Sequence, residues 1–166
     1  MPVESAQPQP ANINAIVESA LAMFNGRLDG ILVQTFLAGD LPRVMADPEA
    51  IKRAVANLVD NAAEAMQDSL VREVHISTAL LGTRDAVEIV VADTGHGVNR
   101  EMKEKLFLPY FSTKKRGTGL GLAIVRRIIE DHRGSIRVEE NKPIGAKFIV
   151  ELPLASEMAE AQKQNA

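Results

Sequence analysis

Three alternating glycines stand immediately before a long apolar helical pattern. Gly117, Gly119 and Gly121 follow the basic run at residues 114–116. A glycine inside a helix costs about 1 kcal/mol relative to alanine, so three at a helix start need a reason. Glycines let the backbone approach an anion closely, and a helix start offers free N–H groups and a positive dipole end. The stretch predicts either a phosphate-binding turn or a flexible loop capped by Thr118.

The spacing excludes two standard phosphate-binding loops. A Walker loop has the pattern GxxxxGK[ST] after a strand, and no lysine follows Gly121. The dinucleotide fingerprint has the pattern GxGxxG between a strand and a helix. The chain instead has GxGxG after LPYFSTKKR, which does not look like a strand.

A second candidate is the sequence VADTGHGV, in which Asp93 ends an apolar run and Gly95 and Gly97 follow it. An aspartate at the mouth of a pocket can accept a hydrogen bond from an exocyclic amine, such as that of adenine. The glycines would let the chain turn away and leave room for a flat base. The alternative is a plain Asp-x-Gly turn, which is common.

The third candidate is a pair of asparagines in NLVDNAAEAM. Asn57 and Asn61 are four residues apart, so they project from one side of a helix, at the border of its apolar face. Asparagine is a poor helix former. Its carboxamide oxygen is a hard neutral ligand, suited to a Mg²⁺ ion whose charge is already met by phosphates. The alternative is two hydrogen-bonded amides at the edge of a core.

The elements that must position these residues follow from apolar periodicity and turn residues. Asn12 and Asp47 are predicted helix N-caps. Two strand pairs look antiparallel and strict βαβ alternation is missing, so we expect an α+β sandwich with one helical layer on one sheet face. The predicted helices are 12–24, 48–67, 100–105 and 118–131, and the predicted strands are 31–38, 73–82, 86–93, 135–140 and 146–154.

Composition narrows the class of protein further. The chain has 166 residues, 46% hydrophobic and 25% charged, which is typical of one soluble domain. It has no cysteine, and its three histidines are scattered, so a zinc site is not expected. The net charge of −3 argues against a general nucleic-acid binder. No apolar run approaches the roughly 20 residues of a membrane span. We expect a piece of a longer protein.

Taken together and in this order, the motifs resemble the catalytic and ATP-binding domain (HATPase_c) of two-component sensor histidine kinases. This domain belongs to the superfamily of gyrase, heat-shock chaperone, kinase and MutL ATPases (GHKL). NLVDNAAEAM resembles the N box, DTGHGV the first G box, LFLPYFSTK the F box and GTGLGLAIV the second G box. The resemblance implies a Bergerat-type ATP-binding fold over residues 12–154: a two-layer sandwich with a mixed sheet of about five strands and about three helices on one face.

The resemblance extends to a subgroup. PYFSTK followed at once by KRGTGLGLAI is similar to the short-lid nitrogen-regulation group. The opening resembles the segment that leaves the dimerisation helices in membrane sensor kinases of the NtrY type. Residues 1–11 would then be an extended lead-in from a dimerisation domain, and residues 155–166 a C-terminal tail. This implies a cytoplasmic domain of an inner-membrane sensor.

At the base end of the site, the resemblance implies that Asp93 binds the adenine amine, partly through water. Gly95 and Gly97 would shape the base pocket, and Val98 would cover one side of it. Asn61 would be the Mg²⁺ ligand. Asn57 occupies the position at which related ATPases carry a glutamate base.

At the phosphate end, the resemblance implies backbone N–H donors from the second G box: Gly117, Thr118, Gly119, Leu120 and Gly121. Lys114 would contact a phosphate. Residues 108–117 would form a mobile lid, with Phe107 and Phe111 at its ends. Glu64 is a departure, since many relatives have a basic residue there.

The implied activity is transfer of the γ-phosphate of Mg-ATP to a histidine on the protein's own dimerisation domain, for relay to a response regulator. His75, His96 and His132 do not match the phosphoacceptor pattern, so we expect the acceptor on that separate domain. We expect no contact of this fragment with nucleic acid or membrane. The alternatives are a non-catalytic nucleotide-sensing module, an ATPase of the superfamily, and a serine kinase of the anti-sigma type.

Overall fold

The computed structural model describes residues 7–109 and 121–156. These residues form four helices and seven strands, and no helix among them is long and apolar enough to cross a membrane. In chain order they are β1 (Gln9–Ala11), α1 (Ile13–Ala22), β2 (Leu32–Phe36), β3 (Val44–Ala46), α2 (Pro48–Ala65), β4 (Glu73–Leu81), β5 (Ala86–Asp93), α3 (Arg100–Lys105), α4 (Gly121–Asp131), β6 (Ser135–Glu140) and β7 (Ala146–Pro153).

Five strands form one mixed sheet in the order β2-β4-β5-β7-β6. The β2–β4 pair is parallel and the other three pairs are antiparallel. Alternate residues of β4 and β5 are buried in one core cluster with the apolar faces of α1, α2 and α4. The structure confirms the predicted α+β class, with a mixed five-stranded sheet and one helical layer.

Both predicted N-caps start helices as expected. The side chain of Asn12 accepts a hydrogen bond from the backbone N–H of Ala15 at 3.2 Å. Asp47 Oδ1 accepts from the N–H groups of Glu49 and Ala50, at 3.1 and 3.4 Å. These side chains satisfy donors that have no partner inside the helix. The asparagine-bearing helix α2 therefore begins at a fixed residue.

A two-stranded sheet of β1 and β3 was not predicted from the sequence. Its strands are three residues long and pair antiparallel, with Pro10 opposite Met45. Strands this short show no readable alternation, and only their tertiary pairing identifies them. Gln7 N–H also donates to Asp47 Oδ2 at 3.3 Å. Residues 7–11 are thus attached beside the start of α2.

Candidate functional site

Asp93 is the last residue of β5, and only 1% of it is exposed. Its Oδ1 atom accepts hydrogen bonds from Gly95 N–H at 2.9 Å and Ala146 N–H at 3.3 Å. Within residues 7–109 and 121–156, Oδ2 accepts none, which leaves it available to a donor on a bound molecule. Burial raises the pKa of the Asp93 carboxyl above its usual value, while the two backbone donors oppose this shift.

The connection between β6 and β7 contacts the backbone carbonyl of Asp93. Asn141 Nδ2 donates to the Asp93 carbonyl oxygen at 2.7 Å. Gly145 has a φ of +108°, and a Cβ there would collide with the same carbonyl. Only glycine lets the two backbones approach this closely. Sequence reasoning missed Asn141, Gly145 and Ala146, because no local motif marks them.

The glycine turn after Asp93 rests on the C-terminal end of α2. A Cβ at Gly95 would collide with the carbonyl of Ala65, and His96 N–H donates to that carbonyl at 3.3 Å. Ala65 lies one helical turn beyond Asn61, a rise of about 6 Å. The glycine turn after Asp93 therefore adjoins the C-terminal end of the helix that carries Asn57 and Asn61.

Asn57 and Asn61 are both half-buried. Neither side chain makes a hydrogen bond to another residue within 7–109 and 121–156, so the alternative of two paired boundary amides does not hold for the described part of the chain. In those same ranges, no group of three or more His, Cys, Asp or Glu side chains could hold a metal ion. Mg²⁺ prefers about six oxygen ligands, so two amides fit it only together with phosphate oxygens and water.

The segment around α3 follows the glycine turn after Asp93. Gly97 has a φ of +77° and turns the chain, and Val98 is half-buried and packs against the core. Phe107 meets Phe148 edge to face, with ring centroids 6.2 Å apart. Phe107 thus anchors the segment to β7. Its role as one end of a lid stays a prediction, because residues 110–120 lie outside the described ranges.

The first four residues of the second G box, 117–120, lie outside the described residues. Its described part begins with Gly121, the exposed first residue of α4, whose Val125 and Ile129 are buried. The predicted phosphate-contacting residues Lys114, Gly117, Thr118, Gly119 and Leu120 and the predicted lid end Phe111 all lie outside the described ranges.

Comparison with known proteins gives a consistent result. The family model for histidine kinase-, DNA gyrase B- and HSP90-like ATPases matches residues 46–156. Sensor histidine kinase ZraS of Escherichia coli O157:H7 is 36% identical over 148 residues, which are 88% of this chain and 31% of the relative. The chain thus spans about a third of the length of that relative.

Solved structures agree with the sequence matches. The catalytic domain of histidine kinase ThkA superposes with a TM-score of 0.79 at 34% identity, covering 89% of this chain and 96% of that one. Full-length ShkA in complex with AMPPNP superposes with a TM-score of 0.78 at 26% identity, covering 90% of this chain and 31% of that one. ThkA in complex with response regulator protein TrrA superposes with a TM-score of 0.77 at 30% identity, covering 92% of this chain and 43% of that one. The chain belongs to the histidine kinase-, DNA gyrase B- and HSP90-like ATPase family, as a domain of the sensor histidine kinase type.

Proposed function

We propose that this chain binds Mg-ATP and transfers its γ-phosphate to a histidine on a separate dimerisation domain. The observation that carries the proposal is the buried Asp93 carboxyl: its Oδ2 atom accepts no hydrogen bond within residues 7–109 and 121–156, and the turn that follows it contacts the helix that carries two half-buried amides, Asn57 and Asn61. An acceptor at one end and neutral oxygen ligands at the other match a purine base followed by phosphates. The AMPPNP complex of a similar kinase supports the same ligand class.

At the base end, Asp93 Oδ2 would accept the exocyclic amine of adenine. Gly95 and Ala146 hold the Asp93 carboxylate, and Asn141 holds the backbone carbonyl of the same residue. The carboxylate therefore cannot turn away from the ligand. A preoriented acceptor loses little entropy on binding. Gly97 and Val98 would line the same base pocket.

At the phosphate end, Asn61 would hold Mg²⁺ with phosphate oxygens, and Asn57 would stand beside it. Bound Mg²⁺ would neutralise charge on the transferred phosphoryl group. Backbone N–H groups at the start of α4 and in the rest of the second G box would donate hydrogen bonds to the phosphates. Lys114 would contact them with its positive charge. An external imidazole would then attack the γ-phosphorus in line, so positioning supplies most of the catalysis.

The chain's own histidines support an acceptor on another domain. His132 is buried and both of its ring nitrogens are hydrogen-bonded. His75 lies in β4, and His96 lies in the glycine turn at the base end. None of the three is presented on the exposed face of a helix. Asn57 in place of a glutamate base favours a kinase over an ATPase that activates water. A nucleotide-sensing module without catalysis is the second candidate.

We further propose the assignments that the wider resemblance implies. Residues 12–154 are the catalytic domain, residues 1–11 lead in from the dimerisation domain, and residues 155–166 form a tail. The short lid sequence favours a nitrogen-regulation sensor of the NtrY type, anchored in the inner membrane with this domain in the cytoplasm. The complex of a similar kinase with its response regulator supports a response-regulator partner.

Two measurements test the function. Calorimetric titration with ATP, with and without Mg²⁺, should give saturable binding that Mg²⁺ strengthens. The chain incubated with γ-labelled ATP should stay unlabelled by itself, and should label an added dimerisation domain that carries a helical histidine. Asn61→Ala should abolish that transfer. ATP binding without any transfer would favour the sensing module, and acid-labile label on the isolated chain would contradict the external acceptor.

A further inference from the structure

His132 is a buried side chain that the proposed chemistry does not use. Only 4% of it is exposed. Its Nε2 accepts a hydrogen bond from the backbone N–H of Asp47 at 3.1 Å, so Nδ1 carries the proton and donates to the Ile128 carbonyl at 2.7 Å. One neutral tautomer satisfies both contacts. The ring therefore joins the C-terminal end of α4 to the first residue before α2, across 85 positions of sequence.

This contact shows in which direction α4 runs along α2. The two helices pack against each other, and the end of α4 lies at the start of α2, so α4 runs back along α2. An α-helix rises about 1.5 Å per residue, so the 11 residues of α4 extend roughly 16 Å. If the two helices are antiparallel, the same length measured along α2 from Pro48 ends near Val59. If they cross at about 50°, the projection of α4 on the axis of α2 is only about 11 Å and ends near Val55.

Both estimates place Gly121 within about one turn of Asn57. We propose that His132 is a positioning residue: its bond to Asp47 fixes the axial register of α4 on α2, and so the height of Gly121, the first residue of α4, relative to Asn57 and Asn61. This inference rests on the proposed function. A change of register would move the backbone N–H donors relative to the metal ligands, which sit on the other helix.

The base end does not depend on this register. Asp93 is held by Gly95, Ala146 and Asn141, and the glycine turn rests on Ala65 of α2. None of these four contacts involves α4. Loss of the His132 bond should therefore weaken the binding of phosphates while leaving the binding of the base unchanged. General loss of stability would not separate the two in this way.

Two substitutions divide the contacts of the imidazole. In His132→Gln, the longer side chain carries an amide oxygen to the place of Nε2, where it can accept from Asp47 N–H. In His132→Asn, the shorter amide can replace Nδ1 and donate to Ile128, but it does not reach Asp47. Each variant loses one side-chain hydrogen bond, so their melting temperatures should fall by similar small amounts.

The test compares the affinities for ATP and adenosine, which carries the base without phosphates. Affinities are measured in the presence of Mg²⁺, by calorimetry for ATP and by NMR titration for adenosine, below the melting temperature of each variant. We expect adenosine affinity to stay within about twofold of the parent in both variants. ATP affinity should fall by roughly tenfold or more in His132→Asn, because small displacements of phosphate donors are costly, and should be largely kept in His132→Gln.

Equal ATP-to-adenosine ratios in a folded His132→Asn variant and the parent would overturn the inference. If His132→Asn does not fold, His132→Gln decides alone: a ratio within threefold of the parent supports the inference, and a collapsed ratio overturns it. A parent chain that binds neither ligand would contradict the proposed function first, and this inference with it.

Discussion

Asp93→Asn tests the base-binding role without removing any bulk from the site. Asparagine has the shape of aspartate and replaces one oxygen by an NH₂ group. The backbone donors of Gly95 and Ala146 both need an acceptor, so the remaining oxygen should occupy the place of Oδ1. The NH₂ group then takes the place of Oδ2 and presents a donor to the adenine amine, which is also a donor.

The expected loss of ATP-binding free energy has two parts: one hydrogen bond can no longer form, and one buried donor is left unsatisfied. A hydrogen bond to a charged acceptor contributes about 1.5–3 kcal/mol, and a buried donor without a partner costs about 1–3 kcal/mol. The sum is about 2.5–6 kcal/mol, so ATP should bind roughly 10²- to 10⁴-fold more weakly. The fold should not suffer, because the variant keeps both backbone hydrogen bonds and removes a buried charge whose desolvation is unfavourable.

The assay pairs calorimetric titration with thermal unfolding, and inosine triphosphate serves as the matched ligand. Inosine carries a carbonyl oxygen where adenosine carries the amine, so the variant's NH₂ group can donate to it. Asp93→Asn should therefore prefer inosine triphosphate, while the parent prefers ATP. Asp93→Ala is the control for structure, since it leaves two backbone N–H groups without acceptors and should lower the melting temperature. ATP affinity within about threefold of the parent in Asp93→Asn would refute the role of Asp93.

Three further predictions concern the same site. Burial raises the pKa of Asp93, so the ionised carboxylate destabilises the fold above that pKa, and this penalty is relieved as the pH falls. The proposed role in ATP binding needs the ionised form, so ATP affinity should decrease as the pH falls through the raised pKa. Calorimetry should show no such decrease for Asp93→Asn. Gly145→Ala should destabilise the domain by about 2 kcal/mol or more in urea unfolding and weaken ATP binding, because the new Cβ meets the Asp93 carbonyl; Gly82→Ala, where a Cβ meets nothing within 4 Å, should be nearly neutral. Asn141→Ala should lower the free energy of unfolding by about 1 kcal/mol and weaken ATP binding severalfold, and unchanged affinity in titration would show that the Asp93 carbonyl needs no such support.

Local sequence was sufficient for most of the fold. N-caps act within one turn of their helix, and apolar periodicity depends only on neighbouring residues, so α1 and α2 could be predicted from Asn12 and Asp47 onward. The end of α2 was predicted two residues late, at Gln67 instead of Ala65, because helix ends carry a weaker local signal than helix starts. The strands β1 and β3 could not be predicted, because three residues carry no pattern and are ordered only by pairing with each other.

The sequence by itself predicted which side chains would meet a nucleotide: Asn57 and Asn61 by their spacing on a helix, and Asp93 by its place before two glycines. Only the tertiary structure decided how they are held. Asn141 reaches Asp93 from 48 residues away, and His132 reaches Asp47 from 85 residues away. Such contacts leave no local signal, because they depend on strand order and helix packing. The physical reason is that a site needs precise distances, and those come from elements that are remote in sequence and adjacent in space.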